Sequence, residues 1–184
     1  MELKNLNLSQ IDNIYSTYMT ADFPKDELKP LSHIHRMLDS GIYSCYGLFE
    51  GDRLVAYAYI VNVDGIILVD YLAVLKEFRG KGIGSMLIDL LKKLYADKKI
   101  LIECENVAFA SSEAEAVCRK RRISFYLNAG FVLTNISSCL YGAEYTLLCL
   151  PCFEETALKD YKKVYLRMLG KEKFAKHLTV RKHN

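Results

Sequence analysis

Arg79-Gly80-Lys81-Gly82-Ile83-Gly84 places three glycines and two cations within six residues, followed by Ser85 and a run of apolar residues at helical spacing. Glycines here let backbone N–H groups approach an anion without a Cβ in the way, and the start of a helix adds a favourable field. Arg79 and Lys81 add formal charge at the same place, so the turn suits a phosphate; the plainer alternative is a surface turn that only opens a helix. A nucleotide-binding P-loop needs Gly-x-x-x-x-Gly-Lys-Ser/Thr, and no register of this stretch supplies it. A dinucleotide fold would place its glycines directly after the strand, yet residues 75–78 intervene here. Hairpins also precede the motif where parallel βαβ units should follow it, so the spacing of Glu103 downstream does not rescue that reading.

The remaining reactive residue types are less informative. Cys149 and Cys152 have redox-motif spacing, but they follow a strand instead of opening a helix. Cys104 and Cys118 read as small core residues. His33 and His35, two apart on an expected helix, face different ways, and with His177 and His183 no zinc spacing arises, so no metal is expected. Arg119 to Arg122 is a basic run on a helix, in part solvated, with Arg122 one turn before Tyr126.

The elements that must position these groups follow from periodicity. The chain has 184 residues, 51% apolar and 26% charged, with a mean hydropathy of +0.04, which is globular composition. A strand is expected near Glu2 to Leu6, then a helix capped by Ser9 with Ile11, Ile14, Tyr15 and Tyr18 inward, and a second helix from about Leu31 to Leu38. Ile42 to Phe49, Arg53 to Val63 and Ile66 to Val74 read as an antiparallel meander, with Glu50-Gly51-Asp52 and Asp64-Gly65 as turns. The helix after the glycines has Ile83, Met86, Leu87, Leu90, Leu91 and Leu94 on one face. Ile100 to Cys104 is a buried strand; Ser112 and Glu115 open a helix ending near Gly130; Phe131 to Ser137 and Tyr145 to Leu150 are a last strand pair.

Leu72-Ala73-Val74, a spacer, and Arg79-x-x-Gly82-x-Gly84 with its helix resemble the acetyl-CoA signature of the GNAT superfamily of N-acetyltransferases. Phe125-Tyr126-Leu127-Asn128-Ala129-Gly130-Phe131 resembles the Phe-Tyr-x-x-x-Gly-Phe that ends the family's fourth helix. The resemblance implies a mixed α/β fold, with a twisted, mostly antiparallel sheet of about six to seven strands flanked by helices. It covers residues 1–150, leaving 151–184 as a basic helical extension that is not a separate domain.

The resemblance further implies an enzyme with acetyl-CoA as cosubstrate. Its pantetheine arm would pair with the backbone of Leu72, Ala73 and Val74, and its pyrophosphate would lie on Arg79, Gly80, Lys81, Gly82, Ile83, Gly84 and Ser85, in a cleft between the fourth and fifth strands. A neutral primary amine would attack the thioester directly. Tyr126 matches the family's acid. The glutamate that some members carry on the fourth strand falls on Leu68, so the base is open: Asp70 shares a strand face with Leu72, and Glu103 and Glu105 flank the fifth strand, with Asp70 ranked first and Glu105 next. The acceptor, a small metabolite or a protein amine, would be chosen by residues 18–38 and the last strand pair. A non-catalytic acyl-CoA-binding module is the alternative.

Charge is uneven. From Lys159 onward nine Lys/Arg face two acids, leaving sixteen basic and twenty acidic residues before it. The tail's stripe of Leu158, Tyr161, Tyr165 and Met168 fits docking or a homodimer better than a nucleic-acid arm. Six cysteines in a chain this long do not make a disulfide scaffold. With no secretory signal layout and no apolar run near twenty residues, a cytoplasmic protein without a membrane span is expected.

Overall fold

Alternating β-branched and aromatic residues become strands, and the apolar stripes between them become helices. The computed structural model describes residues 1–25, 27–151 and 154–183, the side chains of 154 and 155 excepted. It carries eight strands among the described residues and divides into two compact units, Met1–Asn62 with Val69–Ala96, and Val63–Leu68 with Asp97–Asn184. The result is the expected mixed, mostly antiparallel α/β architecture.

The first unit has β1 (Glu2–Asn5), β2 (Tyr43–Glu50), β3 (Arg53–Val63) and the greater part of β4 (Ile66–Val74), in the order β1-β2-β3-β4. β1 and β3 both run antiparallel to β2. α1 (Leu8–Ile14) is capped by Asn7 rather than Ser9: the Asn7 side chain accepts from Gln10 N–H at 2.9 Å and the Gln10 side chain answers the Asn7 N–H at 3.0 Å. A π-turn over Tyr15–Met19 follows, then α2 (Thr20–Asp22). Its extra residue per turn moves the inward position from Tyr18, where a 3.6 period puts it, to the fully buried Met19. α3 (Leu31–Asp39) buries Ile34 and Met37. α4 (Ile83–Leu94) buries Ile83, Leu87, Ile88 and Leu91, while Met86 and Leu94 lie exposed. The buried stripe is narrower than the apolar arc and rotated towards Ile88.

The second unit orders its strands β5-β7-β6-β8, antiparallel throughout: β5 (Lys99–Glu105), β6 (Val132–Leu140), β7 (Ala143–Leu150) and β8 (Leu178–Lys182). α5 (Glu113–Asn128) precedes β6. The Ser112 hydroxyl caps it by accepting from Glu115 N–H at 3.2 Å, but the Glu115 carboxylate returns to Ser111, not to Ser112. α6 (Glu154–His177) breaks at Gly170, where φ is 75° and ψ 164°.

The charged tail belongs to this unit. Ala157, Tyr161, Val164, Tyr165 and Met168 are buried, and β8 extends the strands along β6, a strand that the composition of the tail conceals. Tyr161 and Tyr165 both donate to the carboxylate of Glu103 on β5, and Ser138 of β6 shares a 2.7 Å hydrogen bond with Tyr161. The lysines lie on the opposite, wet face of α6, where Lys163 reaches Asp64 at 2.7 Å. Among the described residues no helix is long and apolar enough to cross a membrane.

Candidate functional site

β4 ends at Val74, a short 3₁₀ turn spans Lys76–Phe78, and the chain then bends through Gly80 and Gly82 into α4. Gly80 has φ 76° and Gly82, the residue preceding α4, has φ 75°. A Cβ at either would meet no protein atom within 4 Å, so the backbone angle rather than crowding calls for glycine. With Gly82 supplying no side-chain cap, the N–H groups of Ile83, Gly84 and Ser85 open the helix without intrahelical acceptors. Oriented donors at the positive end of a twelve-residue helix are suited to phosphate oxygens.

The two cations of the turn differ in what they do. Arg79 folds back, its Nε donating to the Val74 carbonyl at 2.8 Å and its Nη2 reaching Asp22 at 2.7 Å. Lys81 lies exposed, with Nζ 5.5 Å from the Phe78 ring centroid. On β4, Ala73 is buried, whereas Leu72 and Val74 are half-exposed, as strand alternation requires.

The carboxylates singled out by sequence are both paired. Asp70 takes the Lys29 ammonium at 2.7 Å on one oxygen and the Tyr43 hydroxyl on the other. Burial, then the Asp70 charge, drives the Tyr43 phenol well up, so it stays a donor. Glu105 pairs with Arg122, and Arg119 Nε stands 3.7 Å away. Glu103 holds α6, as described above. Lys29 and Tyr43 lie 41 and 27 residues from Asp70 in the chain, and no local spacing marks them.

Tyr126 is the buried residue of α5, 7% exposed, between Phe125 (centroids 4.9 Å apart) and Phe131 (5.9 Å). Nine tyrosines are buried among the described residues. Eight hydrogen-bond through their hydroxyls: Tyr46 with Tyr95, Tyr43, Tyr161 and Tyr165 to carboxylates, Tyr57 to Asp22, Tyr59 and Tyr71 to carbonyls. The Tyr126 hydroxyl alone has no such partner among the described residues. Burial, and to a lesser degree the Cys104 thiol, raise its pKa while Arg122 opposes them, so it is a protonated phenol at neutral pH. Burial also pushes the Cys104 thiol up to about 12, which leaves it inert as a nucleophile.

Cys149 is buried in β7; Cys152, the other half of the Cys-x-x-Cys spacing, lies outside the described residues. His35 pairs with Asp12 at 2.7 Å, and His183 with Ser137 at 2.7 Å. Among the described residues no group of three His, Cys, Asp or Glu is placed to hold a metal ion.

A strand, a double-glycine turn and a helix with open N–H groups make an arrangement suited to phosphate oxygens. Residues 8–131 match the sequence model of the acetyltransferase (GNAT) family, and the chain belongs to that family. It is 34% identical over 109 residues to the Bacillus subtilis (strain 168) protein named "Putative acetyltransferase YjbC"; the match covers 59% of this chain and 52% of YjbC, about half of that relative's length. A GNAT-family structure from Bacteroides thetaiotaomicron superposes with a TM-score of 0.72 at 18% identity, covering 92% of this chain and 97% of the other. A Bacillus subtilis acetyltransferase solved in complex with CoA gives 0.56 at 19% identity, covering 80% and 96%. At such identities the structural likenesses speak for the fold.

Proposed function

We propose that the chain is an N-acetyltransferase that moves the acetyl group of acetyl-CoA to a primary amine by direct attack in a ternary complex. The pantetheine arm lies along Leu72, Ala73 and Val74, and the pyrophosphate takes the N–H groups of the turn from Arg79 to Ser85, with Lys81 as the cation left available to it. The neutral amine attacks the thioester carbonyl, the C–N bond forms, the C–S bond breaks, and the sulfur leaves with the electron pair. The amine loses one proton and the sulfur gains one.

The observation that carries this reading is the unpartnered hydroxyl of Tyr126. Tyr126 is a buried residue whose hydroxyl has no hydrogen-bond partner among the described residues, which leaves it free to donate to a ligand. The raised pKa makes full ionisation costly, so its contribution is a hydrogen bond to the developing thiolate, and the sulfur draws its proton from water. Asp70 and Glu105, each already facing a cation, are poorly placed to serve as free bases. Loss of the amine proton to water accords with both pairings.

The test has two stages. Acetyl-CoA at about 100 times its dissociation constant should stabilise the protein by ~2.7 kcal/mol. Mass spectrometry should then detect acetylated product from a panel of primary amines, a readout that protein thiols do not contaminate. No stabilisation by any acyl-CoA overturns the reading. Stabilisation without product from any amine favours the non-catalytic acyl-CoA-binding module, to which the paired carboxylates lend support.

A further inference from the structure

Asp70 sits on β4 two residues before Leu72 and is almost sealed: its side chain is 4% exposed and that of Lys29 17%. Around the Lys29 ammonium stand the Asp70 carboxylate at 2.7 Å and the Tyr71 ring, 5.1 Å from Nζ, with Tyr43 donating to the far carboxylate oxygen. A carboxylate backed by a phenol, with an aromatic face beside it, is the chemistry that recognises a primary alkylammonium. The occupant here is an alkylammonium carried by the chain itself.

The Lys29 backbone is held without help from its side chain. Its N–H donates to the Tyr71 hydroxyl at 2.8 Å, its carbonyl accepts from the Tyr15 hydroxyl at 3.1 Å, and Tyr71 donates on to the Glu27 carbonyl at 3.0 Å. The main chain can therefore stay in place while the flexible stem, itself partly exposed, swings Nζ outward. An enclosed ion pair is weak support for stability compared with apolar packing, so structure alone gives this one little reason to exist. Nor is proton abstraction a good reason: both Asp70 oxygens already accept hydrogen bonds, one from Lys29 and one from Tyr43, which makes it a counter-ion and not a free proton acceptor.

We infer that Asp70, Tyr43 and Tyr71 form a subsite for a second, non-reacting ammonium group of the acceptor, and that Lys29 is the internal occupant this group displaces. The acceptor is then a small aliphatic diamine or polyamine: one amine is attacked while neutral, the other is held as a cation at Asp70. This rests on the acetyltransferase reading above for the reacting end, but the binding of the ammonium does not depend on it.

The test uses the full chain with Lys29→Ala, Asp70→Asn and the double variant, and n-butylamine as probe, since it is the lysine side chain without its backbone. Without cofactor, millimolar n-butylamine should raise the melting temperature of Lys29→Ala. Neutral n-butanol should not, and the response should vanish in the double variant. With acetyl-CoA present, the KM for 1,5-diaminopentane should fall about tenfold in Lys29→Ala and rise about tenfold in Asp70→Asn, with kcat little changed in either. Retention of the acetyl-CoA thermal shift shows that each variant is folded; Lys29→Met, which keeps the stem's bulk, replaces Lys29→Ala in the KM comparison should the smaller side chain unfold the loop.

No n-butylamine response in folded Lys29→Ala, or a diamine KM that is unchanged or higher in it, overturns the inference. A KM that falls for a lysyl peptide and not for the diamine overturns the assignment to small diamines. Loss of every acetyl-CoA shift, with the n-butylamine response intact, would instead sink the acetyltransferase reading and leave the ammonium subsite standing.

Discussion

Arg79 Nε donates to the carbonyl of Val74 at 2.8 Å, so the first cation of the glycine turn is folded back on the end of its own strand. Its Nη2 pairs with Asp22, whose other oxygen accepts from Tyr57 at 2.8 Å, and the three contacts tie β4, α2 and β3 at one point. Burial, with the Asp22 hydrogen bond second, pushes the Tyr57 phenol up, which keeps it a donor to Asp22. What reads in sequence as a phosphate-binding charge is first a clamp that fixes the turn's entry, while Lys81 lies exposed.

The two cations should therefore separate by experiment. Arg79→Met should lower stability by about 1 kcal/mol, since the pair is half-exposed and the hydrogen bond is to a carbonyl. Lys81→Gln should leave the denaturant midpoint unchanged, weaken acetyl-CoA binding and flatten its dependence on salt. Titrations at two ionic strengths decide it: a lost salt dependence in Arg79→Met with Lys81→Gln unaffected would make Arg79 the ligand.

Tyr126→Phe should lower kcat by at least ~10²-fold with acetyl-CoA affinity retained. The fold should hardly notice, because removing a hydroxyl that has no partner among the described residues leaves none of them unsatisfied. Steady-state kinetics beside a melting curve test both halves; unchanged kcat would remove Tyr126 from the mechanism.

Tyr161→Phe removes the same atom with the opposite consequence. Its hydroxyl serves Glu103 and Ser138, so its loss strips a carboxylate of one donor and should cost about 1–3 kcal/mol. Truncation after Leu150 should go further and prevent folding, since it exposes the surface that Ala157, Tyr161, Val164 and Tyr165 cover, each no more than 1% exposed. Circular dichroism of the truncated chain checks this; a folded, cooperative product would show the tail to be dispensable.

The contrast between these tyrosines shows how far the sequence could be read. The strand boundaries and the helix that follows the glycine turn rest on local periodicity, and there the reading lands within a few residues. Asn7 displacing Ser9, Met19 displacing Tyr18 and Ile88 displacing Met86 are one- or two-residue errors of phase, set by a capping box, a π-turn and a packing stripe that local pattern does not encode. β8 was hidden because Leu178-Thr179-Val180-Arg181-Lys182 follows a helix in a lysine-rich tail and needs β6 as a template. Lys29 at Asp70 and Tyr161 at Glu103 were out of reach for another reason: each contact spans about forty residues or more, and nothing near either partner announces it.

Glu115 gives a prediction in pH. Folding lowers its pKa below the ordinary glutamate value because the Ser111 hydroxyl and N–H donate to its carboxylate, with Arg119 at 2.6 Å adding a cation. A carboxylate depressed in the folded state contributes stability that is complete above its unfolded value, ~4.3, and is lost as pH falls through the lower folded value. Glu115→Gln should therefore melt below the parent protein at pH 7, and the gap should close as the pH approaches 3. Melting curves across that range measure it; a gap that widens on acidification would mean that the shift at the amino end of α5 has the opposite sign.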